Sequence, residues 1–257
     1  MQLFDTHAHL FDTRLAAELP AVLARATAVG VVGMLAVGID AKSNVISVQQ
    51  AASHSQLFAT VGIQPNNAAE AAAGAWDQVV ALSTNIKVKA LGETGLDRYW
   101  DKTPFAMQED YFDRHLQLAR KLNLPVVIHN READADVVRM LRADFETHGP
   151  VKGVMHSFTA DAATAEACLA MGLYISFAGM VTYKTGEDLR AIAKTIPDER
   201  LLIETDCPYL APQAVRGKRN EPAFVAHTAA CLAAERGVSV ETLGELTTRN
   251  AKLFLGL

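Results

Sequence analysis

The sequence predicts an α/β fold, a TIM-type (β/α)₈ barrel that forms a single domain over residues 1–257. Short apolar runs alternate along the chain with longer stretches in which apolar residues recur every three or four positions. The short runs number eight, which is the strand count at which this kind of parallel sheet closes. The 257 residues are 50% hydrophobic, which suits one such barrel, and no Pro/Gly/Ser-rich linker divides them.

The eight runs are predicted to be strands because they are short, apolar and rich in β-branched residues. They are Gln2–Asp5, Val31–Val37, Phe58–Ile63, Val88–Gly92, Val126–Ile128, Gly153–Met155, Leu173–Phe177 and Leu201–Thr205. Strands that alternate with helices pair in parallel, because each crossover helix must cover a face of the sheet. A doubly wound open sheet is the alternative. It usually carries a glycine-rich loop after the first strand, where this chain has His7-Ala8-His9.

The stretches between the runs are predicted to be helices. The spacing of an apolar helix face is seen at Phe112, Leu116, Ala119 and Leu122. The alanine-rich stretch Ala68–Ala75 also favours a helix. Two further helices are expected after the eighth strand, over Pro222–Arg236 and Val240–Phe254.

Charge and cysteine content restrict the partners and the compartment. With a net charge of −5, the surface as a whole does not attract polyanions, so a phosphate-bearing substrate needs a local basic patch or metal ions. The three cysteines show no Cys-x-x-Cys spacing and do not indicate a disulfide framework. Residues 1–7 lack the features of a signal peptide, and the longest stretch without polar side chains, Ala28–Ile39, is too short to span a bilayer. We expect a soluble cytoplasmic protein, off the membrane and without an obligate protein partner.

Residues of metal-ligand type cluster where the predicted strands end, which is the face of an α/β barrel that carries the chemistry. They are His7, His9, Glu93, His129, His156 and Asp206. Each alone could be structural, as a hydrogen-bonded histidine or as an aspartate that starts a turn. A converging group of imidazoles and carboxylates is costly to bury without a cation. We therefore predict a divalent metal site, with enough ligands for two ions and with Glu93 as the bridge.

Further residues flank this predicted site. Glu204 lies two residues before Asp206 on the same strand face, and we expect it to contact a metal-binding residue on the side away from the metal. A basic loop follows the eighth strand on the same rim, either as a phosphate-binding patch or as an ordinary solvated charge run; it contains Arg216, Lys218 and Arg219. Aromatic residues that follow predicted strands either stack on bases or pack the loops, and they are Tyr99, Trp100, Phe158, Tyr183 and Tyr209.

Several long motifs stand in order along the chain. They are Phe4-Asp5-Thr6-His7-Ala8-His9-Leu10, Gly92-Glu93-Thr94-Gly95-Leu96-Asp97, Pro125-Val126-Val127-Ile128-His129, Met155-His156-Ser157-Phe158, Ile203-Glu204-Thr205-Asp206-Cys207-Pro208-Tyr209-Leu210 and Arg216-Gly217-Lys218-Arg219-Asn220-Glu221-Pro222. Together they resemble the TatD family of metal-dependent deoxyribonucleases, within the amidohydrolase-like barrel superfamily. The resemblance implies the six metal ligands given above, and divalent-metal hydrolysis of DNA phosphodiesters.

Two segments depart from the family's usual pattern. Where the family commonly reads Gly-Ile-His-Pro-His, this chain has Gly62-Ile63-Gln64-Pro65-Asn66. Gln64 can contact a substrate through hydrogen bonds, but an amide does not transfer a proton near neutral pH. Arg98 stands where a tyrosine often follows Gly-Leu-Asp, and we expect it to contact a phosphate. Both changes bear on the substrate rather than on the metal ligands.

The predicted function is that of a metal-dependent hydrolase acting on ester bonds, namely a deoxyribonuclease that uses metal-activated water. Glu93 and Asp206 are the predicted catalytic residues, with Glu93 bridging two ions and Asp206 orienting or deprotonating the water. Zinc, magnesium and manganese all suit this mixed ligand set. An amide, ester or lactone hydrolase on the same barrel would carry the same site. A non-catalytic metal-binding protein is a third interpretation, which the six intact ligand-type residues disfavour.

Overall fold

A computed structural model describes all residues from 1 to 257. Eight parallel strands form one sheet in chain order: β1 (Leu3–Ala8), β2 (Val31–Val37), β3 (Leu57–Val61), β4 (Val88–Asp97), β5 (Val126–Arg131), β6 (Gly153–Met155), β7 (Tyr174–Phe177) and β8 (Leu201–Ile203). The chain after β8 returns to β1. The amide of Asp206 donates to the carbonyl of His7 at 2.9 Å, and the amide of His9 donates to the carbonyl of Cys207 at 2.9 Å. These bonds nearly close the sheet, so the predicted barrel is confirmed.

Helices follow the strands, and two more follow β8. They are α1 (Thr13–Ala16), α2 (Leu19–Ala28), α3 (Ala41–Ser53), α4 (Ala75–Leu82), α5 (Phe105–Leu122), α6 (Asp134–His148), α7 (Ala162–Ala170), α8 (Glu187–Thr195), α9 (Val225–Arg236) and α10 (Val240–Leu255). Local capping fixes several starts. The side chain of Asp40, for example, accepts the amide of Ser43 at 2.7 Å and begins α3 directly after β2. None of these helices is both long and apolar enough to cross a bilayer.

The helix predicted over Ala68–Ala75 is wrong. A 3-10 helix spans Pro65–Glu70, and the chain then runs irregularly until α4 begins at Ala75. Gly74, at φ 86°, adopts the left-handed conformation that interrupts a helix. The helix preference of alanine is a weak term that such local geometry overrides. At the other end of the chain, the helix predicted from Pro222 starts as a 3-10 turn and becomes α9 at Val225.

The strands that carry the site differ in length from the predicted ones. β4 continues to Asp97 and β5 to Arg131, so Glu93 and His129 lie within strands rather than after them. β8 ends earlier than expected, at Ile203. Asp206 therefore lies in the connection that closes the barrel.

Alternate side chains of each strand pack into two separate cores. A cluster inside the barrel contains Phe4, Leu35, Val127, Val154 and Leu202, together with Phe254 and Leu255 of α10. A larger cluster between the barrel and the surrounding helices contains Val126, Ile128, Met155, Leu201 and Ile203. The helix α10 closes the barrel at the amino ends of the strands, because Thr248 donates to the carbonyl of Gln2 at 3.2 Å. The opposite end is left for the site.

Side chains at every second position of a strand point to the same face, so the inner face of each strand continues from the apolar core to the site. Val127 and Val154 belong to the cluster inside the barrel. Two residues further on, the same faces present His129 and His156. The apolar core inside the barrel therefore lies directly beneath the polar side chains of the site.

Candidate metal centre

The six ligand-type side chains meet at the carboxyl ends of the strands. Their ligand atoms form three overlapping groups, and within each group all atoms lie within 4.8 Å of one another: His7, His9 and Glu93; His7, His156 and Asp206; Glu93, His129 and His156. Four of the six residues are buried. The exceptions are the side chains of His129 and Asp206, which are 17% and 14% exposed. The cluster therefore opens to solvent on the side of these two residues.

Glu93 lies at the centre of the cluster, with one carboxylate oxygen toward each half. Its Oε2 lies 3.3 Å from Nε2 of His7 and 3.6 Å from Nε2 of His9. Its Oε1 lies 2.9 Å from Nδ1 of His129 and 3.4 Å from Nε2 of His156. Asp206 belongs to the Oε2 half, because its Oδ1 lies 3.3 Å from Nε2 of His9. A carboxylate that faces two imidazoles through each of its oxygens has the arrangement of a bridging ligand.

Carboxylates on the outer side orient two of the imidazoles. Nδ1 of His156 lies 3.2 Å from Oε1 of Glu204. Nε2 of His129 lies 2.9 Å from Oδ2 of Asp97. A carboxylate accepts hydrogen bonds, so these ring nitrogens carry the proton and the opposite nitrogen turns a lone pair toward Glu93. Outer carboxylates of this kind fix the tautomer of metal-binding histidines.

The other two histidines come from β1 and its end. Nδ1 of His9 lies 3.4 Å from the carbonyl oxygen of Val37, which directs its Nε2 into the cluster. Nδ1 of His7 is buried without a partner, and its ring stacks on that of His156 with centroids 3.9 Å apart. All four imidazoles thus present one nitrogen to the interior of the cluster.

This arrangement fits a bound cation, because lone pairs that face a carboxylate need a positive charge between them. The pKa values of His156 and Glu93 also indicate that the cluster requires positive charge. Burial alone would lower the pKa of His156, but Glu93 and Glu204 raise it well above its usual value. Burial would raise the pKa of Glu93, but the surrounding imidazoles, His156 first and then His129, hold it well below its usual value. Four imidazoles and two carboxylates are a donor set that suits divalent zinc or manganese.

Asp206 is held in an uncommon backbone conformation for a residue other than glycine, with φ 54°. Burial would raise the pKa of its carboxyl group, but the neighbouring imidazoles of His9 and His7 lower it. The carboxylate is therefore ionised at neutral pH and lies on the open side of the cluster. An ionised carboxylate in this position can bind a cation or accept a proton from an incoming water molecule.

Asp97 is a site residue that the sequence reasoning missed. It ends β4, and its Oδ2 accepts hydrogen bonds from Nε2 of His129 and, at 2.8 Å, from Nδ2 of Asn66. Its Oδ1 accepts the backbone amides of Tyr99 and Trp100, each at 2.9 Å. Burial alone would raise the pKa of Asp97, but the hydrogen bond from His129 helps to lower it to about 2. The available signal was a carboxylate at a strand end, the criterion that selected the other six residues.

Gln64 and Arg98, expected to contact the substrate, both have partners within the protein. The side-chain oxygen of Gln64 accepts the amide of Asn66 at 2.8 Å and caps the 3-10 helix that follows. The guanidinium of Arg98 donates to Asp136 at 2.7 Å and lies 3.7 Å from the ring centroid of Phe105. Their predicted role at the substrate stays a prediction.

The basic loop divides into one paired and two unpaired cations. Arg219 donates to Glu18 at 2.6 Å and lies 3.2 Å from a carboxylate oxygen of Glu221. Arg216 and Lys218 are exposed and form no ion pair. The loop therefore leaves two surface cations without a carboxylate partner, and the guanidinium of Arg216 lies 4.1 Å from the ring centroid of Tyr183.

A barrel whose strand ends hold four imidazoles around one carboxylate is typical of metal-dependent hydrolases. The sequence model of the family described as TatD related DNase matches residues 4–256. The chain therefore belongs to the TatD family.

Individual relatives agree with this assignment. The protein of Bacillus subtilis named uncharacterized metal-dependent hydrolase YabD is 40% identical over 250 residues, which cover 97% of each chain. The protein of Pantoea ananatis named 3'-5' ssDNA/RNA exonuclease TatD is 35% identical over 261 residues, covering 99% of this chain and all of the relative. The crystal structure of YjjV, a TatD homologue from Escherichia coli, superimposes with a TM-score of 0.93 at 25% identity, covering 99% of this chain and 98% of that one.

Proposed function

We propose that the protein hydrolyses phosphodiester bonds of DNA and that two divalent metal ions serve the reaction. The observation that carries the proposal is the division of the cluster by Glu93, whose two oxygens face two separate pairs of imidazoles. A related protein of Pantoea ananatis bears the name of a single-stranded DNA and RNA exonuclease, which supports a nucleic acid substrate.

The cluster supplies ligands for two ions that share Glu93. One set contains His7, His9 and Asp206, and the other contains His129 and His156. When bound, such ions polarise a phosphoryl oxygen and lower the pKa of water toward 7. Glu204 and Asp97 hold two of the imidazoles in the tautomer that leaves a lone pair on the inner nitrogen.

Asp206 is the proposed acceptor of the water proton. The water oxygen attacks the phosphorus, the bond from phosphorus to the leaving sugar oxygen breaks, and that oxygen takes a proton from solvent. The carboxylate suits this role because it is ionised at neutral pH and partly exposed at the open side of the cluster. Its φ of 54° directs it there from the connection that closes the barrel.

Exposed cations at the rim are the proposed contacts for neighbouring phosphates. Arg216 and Lys218 are free of ion pairs, whereas Arg219 is held by Glu18 and Glu221. A protein with a net charge of −5 can bind DNA through such local contacts, and the affinity then falls as salt rises.

The reaction is tested with purified, metal-supplemented protein on end-labelled single- and double-stranded DNA, beside a panel of small esters, amides and lactones. We expect metal-dependent release of nucleotides that a chelator abolishes. Lactone, ester or amide turnover without nucleotide release from any DNA would identify the alternative hydrolase. Metal binding without turnover of any of these substrates would identify a non-catalytic metal-binding protein, and a failure to bind divalent metal would contradict the proposed site itself.

The rim contacts are tested with the double variant Arg216→Ala/Lys218→Ala. We expect a higher KM for DNA and a weaker salt dependence, because each lost phosphate contact lowers the slope of log affinity against log salt by about one. The matched control is Arg249→Ala/Lys252→Ala, which removes two exposed cations from α10 at the opposite end of the barrel. Equal effects of the two variants would show that general charge, rather than the rim, sets the salt dependence.

A further inference from the structure

Two large aromatic side chains stand half exposed beside the metal centre. Tyr99 and Trp100 follow β4 directly, and they are 49% and 47% exposed. Their ring centroids lie 4.8 Å apart and their planes are nearly perpendicular, at 89°. Neither ring is buried in the core of the protein, so packing does not account for both of them.

A single carboxylate ties these aromatic residues to the metal centre. Oδ1 of Asp97 accepts the backbone amides of Tyr99 and Trp100, each at 2.9 Å. Oδ2 of the same side chain accepts Nε2 of His129, whose Nδ1 lies 2.9 Å from Glu93. The start of the aromatic loop is therefore held at a fixed position relative to the reacting centre.

Cations lie against the same two rings. The guanidinium of Arg131 lies 3.9 Å from the ring centroid of Tyr99 and 5.9 Å from that of Trp100. The ammonium of Lys102 lies 5.3 Å from the ring centroid of Trp100. Arg131 and Lys102 are exposed and form no ion pair, unlike the neighbouring Arg98. The surface thus combines half-exposed aromatic rings with positive charge that no carboxylate compensates.

We infer that Tyr99 and Trp100 form a stacking platform for an unpaired nucleobase next to the scissile phosphodiester, with the base stacked on one ring and edge-on to the perpendicular ring, and that Arg131 and Lys102 contact the adjoining phosphates. The inference rests on the proposed function, which places a nucleic acid strand at this site. Aromatic side chains beside cations are the chemistry that binds single strands, because every base offers a π-face and every nucleotide a negative charge. A base inside a duplex is covered by its neighbours, so the platform favours single-stranded ends.

The kinetic test compares Tyr99→Ala/Trp100→Ala with the native protein on a single strand and on the same strand with abasic residues next to the cleaved bond. We expect the variant to raise KM about tenfold or more for the intact strand, the size of one lost base stack. It should leave KM for the abasic strand unchanged. Tyr99→Phe/Trp100→Phe keeps an aromatic ring at both positions and should retain a KM within a fewfold of the native value. Ile86→Ala is the control, since this side chain is 83% exposed just before β4, at the opposite end of the barrel.

The binding test does not depend on turnover. A fluorescent phosphorothioate single strand is titrated into the metal-loaded protein, and the native protein should bind it about tenfold or more tightly than the alanine variant does. Binding with this difference but no hydrolysis of DNA would support the platform and refute the proposed hydrolysis. Hydrolysis with equal KM and equal affinity in both proteins, or an equal loss on the abasic strand, would refute the platform and leave the proposed function standing. If the protein neither binds nor hydrolyses DNA, both the stacking platform and the proposed function are refuted.

Discussion

Asp97→Asn perturbs the metal centre without replacing a proposed ligand. In the native protein Oδ2 of Asp97 accepts the proton on Nε2 of His129, and the lone pair of Nδ1 faces Glu93. An asparagine of the same shape keeps one oxygen for the amides of the aromatic loop and places an NH₂ group against His129. Because two donors cannot face each other, the imidazole proton moves to Nδ1 and the lone pair is lost to the metal.

The expected magnitude follows from what the variant removes. Loss of an outer partner lowers the metal affinity of a ligating histidine by about 10- to 100-fold, or about 1.4 to 2.7 kcal/mol. The asparagine also stabilises the unsuitable tautomer, and it removes a charge that a pKa of about 2 keeps present at neutral pH. We therefore expect a loss near the upper end of this range.

The assay is the dissociation constant for Mn²⁺ or Zn²⁺, measured by competition with a chelator. Asp136→Asn is the matched control, since it neutralises a carboxylate that pairs with the exposed Arg98 and touches no cluster residue. Its metal affinity should equal that of the native protein. Native affinity in folded Asp97→Asn would refute the tautomer argument.

Three further predictions follow from the cluster and the core. Asp206→Asn should lower turnover by about 10²- to 10⁴-fold with an unchanged circular dichroism spectrum, and near-native turnover would show that Asp206 is not the proton acceptor. Burial alone would lower the pKa of His9, His129 and His156, but their carboxylate neighbours raise it. Protons therefore compete with the metal, and metal affinity should fall as the pH falls. A dissociation constant that does not change with pH would contradict this prediction. Burial lowers the pKa of His115 to about 4 from 6.5, so the folded state binds fewer protons than the unfolded state at acid pH. The contribution of His115 to the free energy of unfolding is present above pH 6.5 and is lost, by about 3 kcal/mol, as the pH falls to about 4. Urea unfolding across this pH range should show this loss in the native protein and not in His115→Gln.

The barrel and the convergence of the six residues could be predicted because both depend on short-range patterns. The two-residue period of a strand places Val127 and His129 on one face, and parallel strands bring their carboxyl ends together. No knowledge of strand register was needed to see that such ends converge. The boundaries were less accurate, because β4 and β5 continue past their apolar runs into Asp97 and Arg131.

The pairing of Asp97 with His129 depends on the register between β4 and β5, which the pattern does not contain. Gly95 stands opposite His129 in that register, with φ 130°. A Cβ atom at Gly95 would lie 2.0 Å from the carbonyl oxygen of His129, so only glycine permits this approach of the two strands. The close approach brings the end of β4 within hydrogen-bonding reach of the imidazole.

The partners of the rim arginines were also outside the reach of the sequence. Arg98 pairs with Asp136 of α6, and Arg219 pairs with Glu18, which is 201 positions away. Such pairs form only when the loops are placed by the complete barrel. A run of basic residues therefore indicated a rim, but not which of its cations remain available to a substrate.

The proposed sharing of Glu93 between two metal ions is tested most directly by anomalous scattering from crystals soaked in Mn²⁺. We expect two peaks inside the cluster, one against His7 and His9 on the Oε2 side of Glu93, and one against His129 and His156 on the Oε1 side. No peak within the cluster, or a single peak that leaves one oxygen of Glu93 without a metal, would contradict the proposed two-metal site.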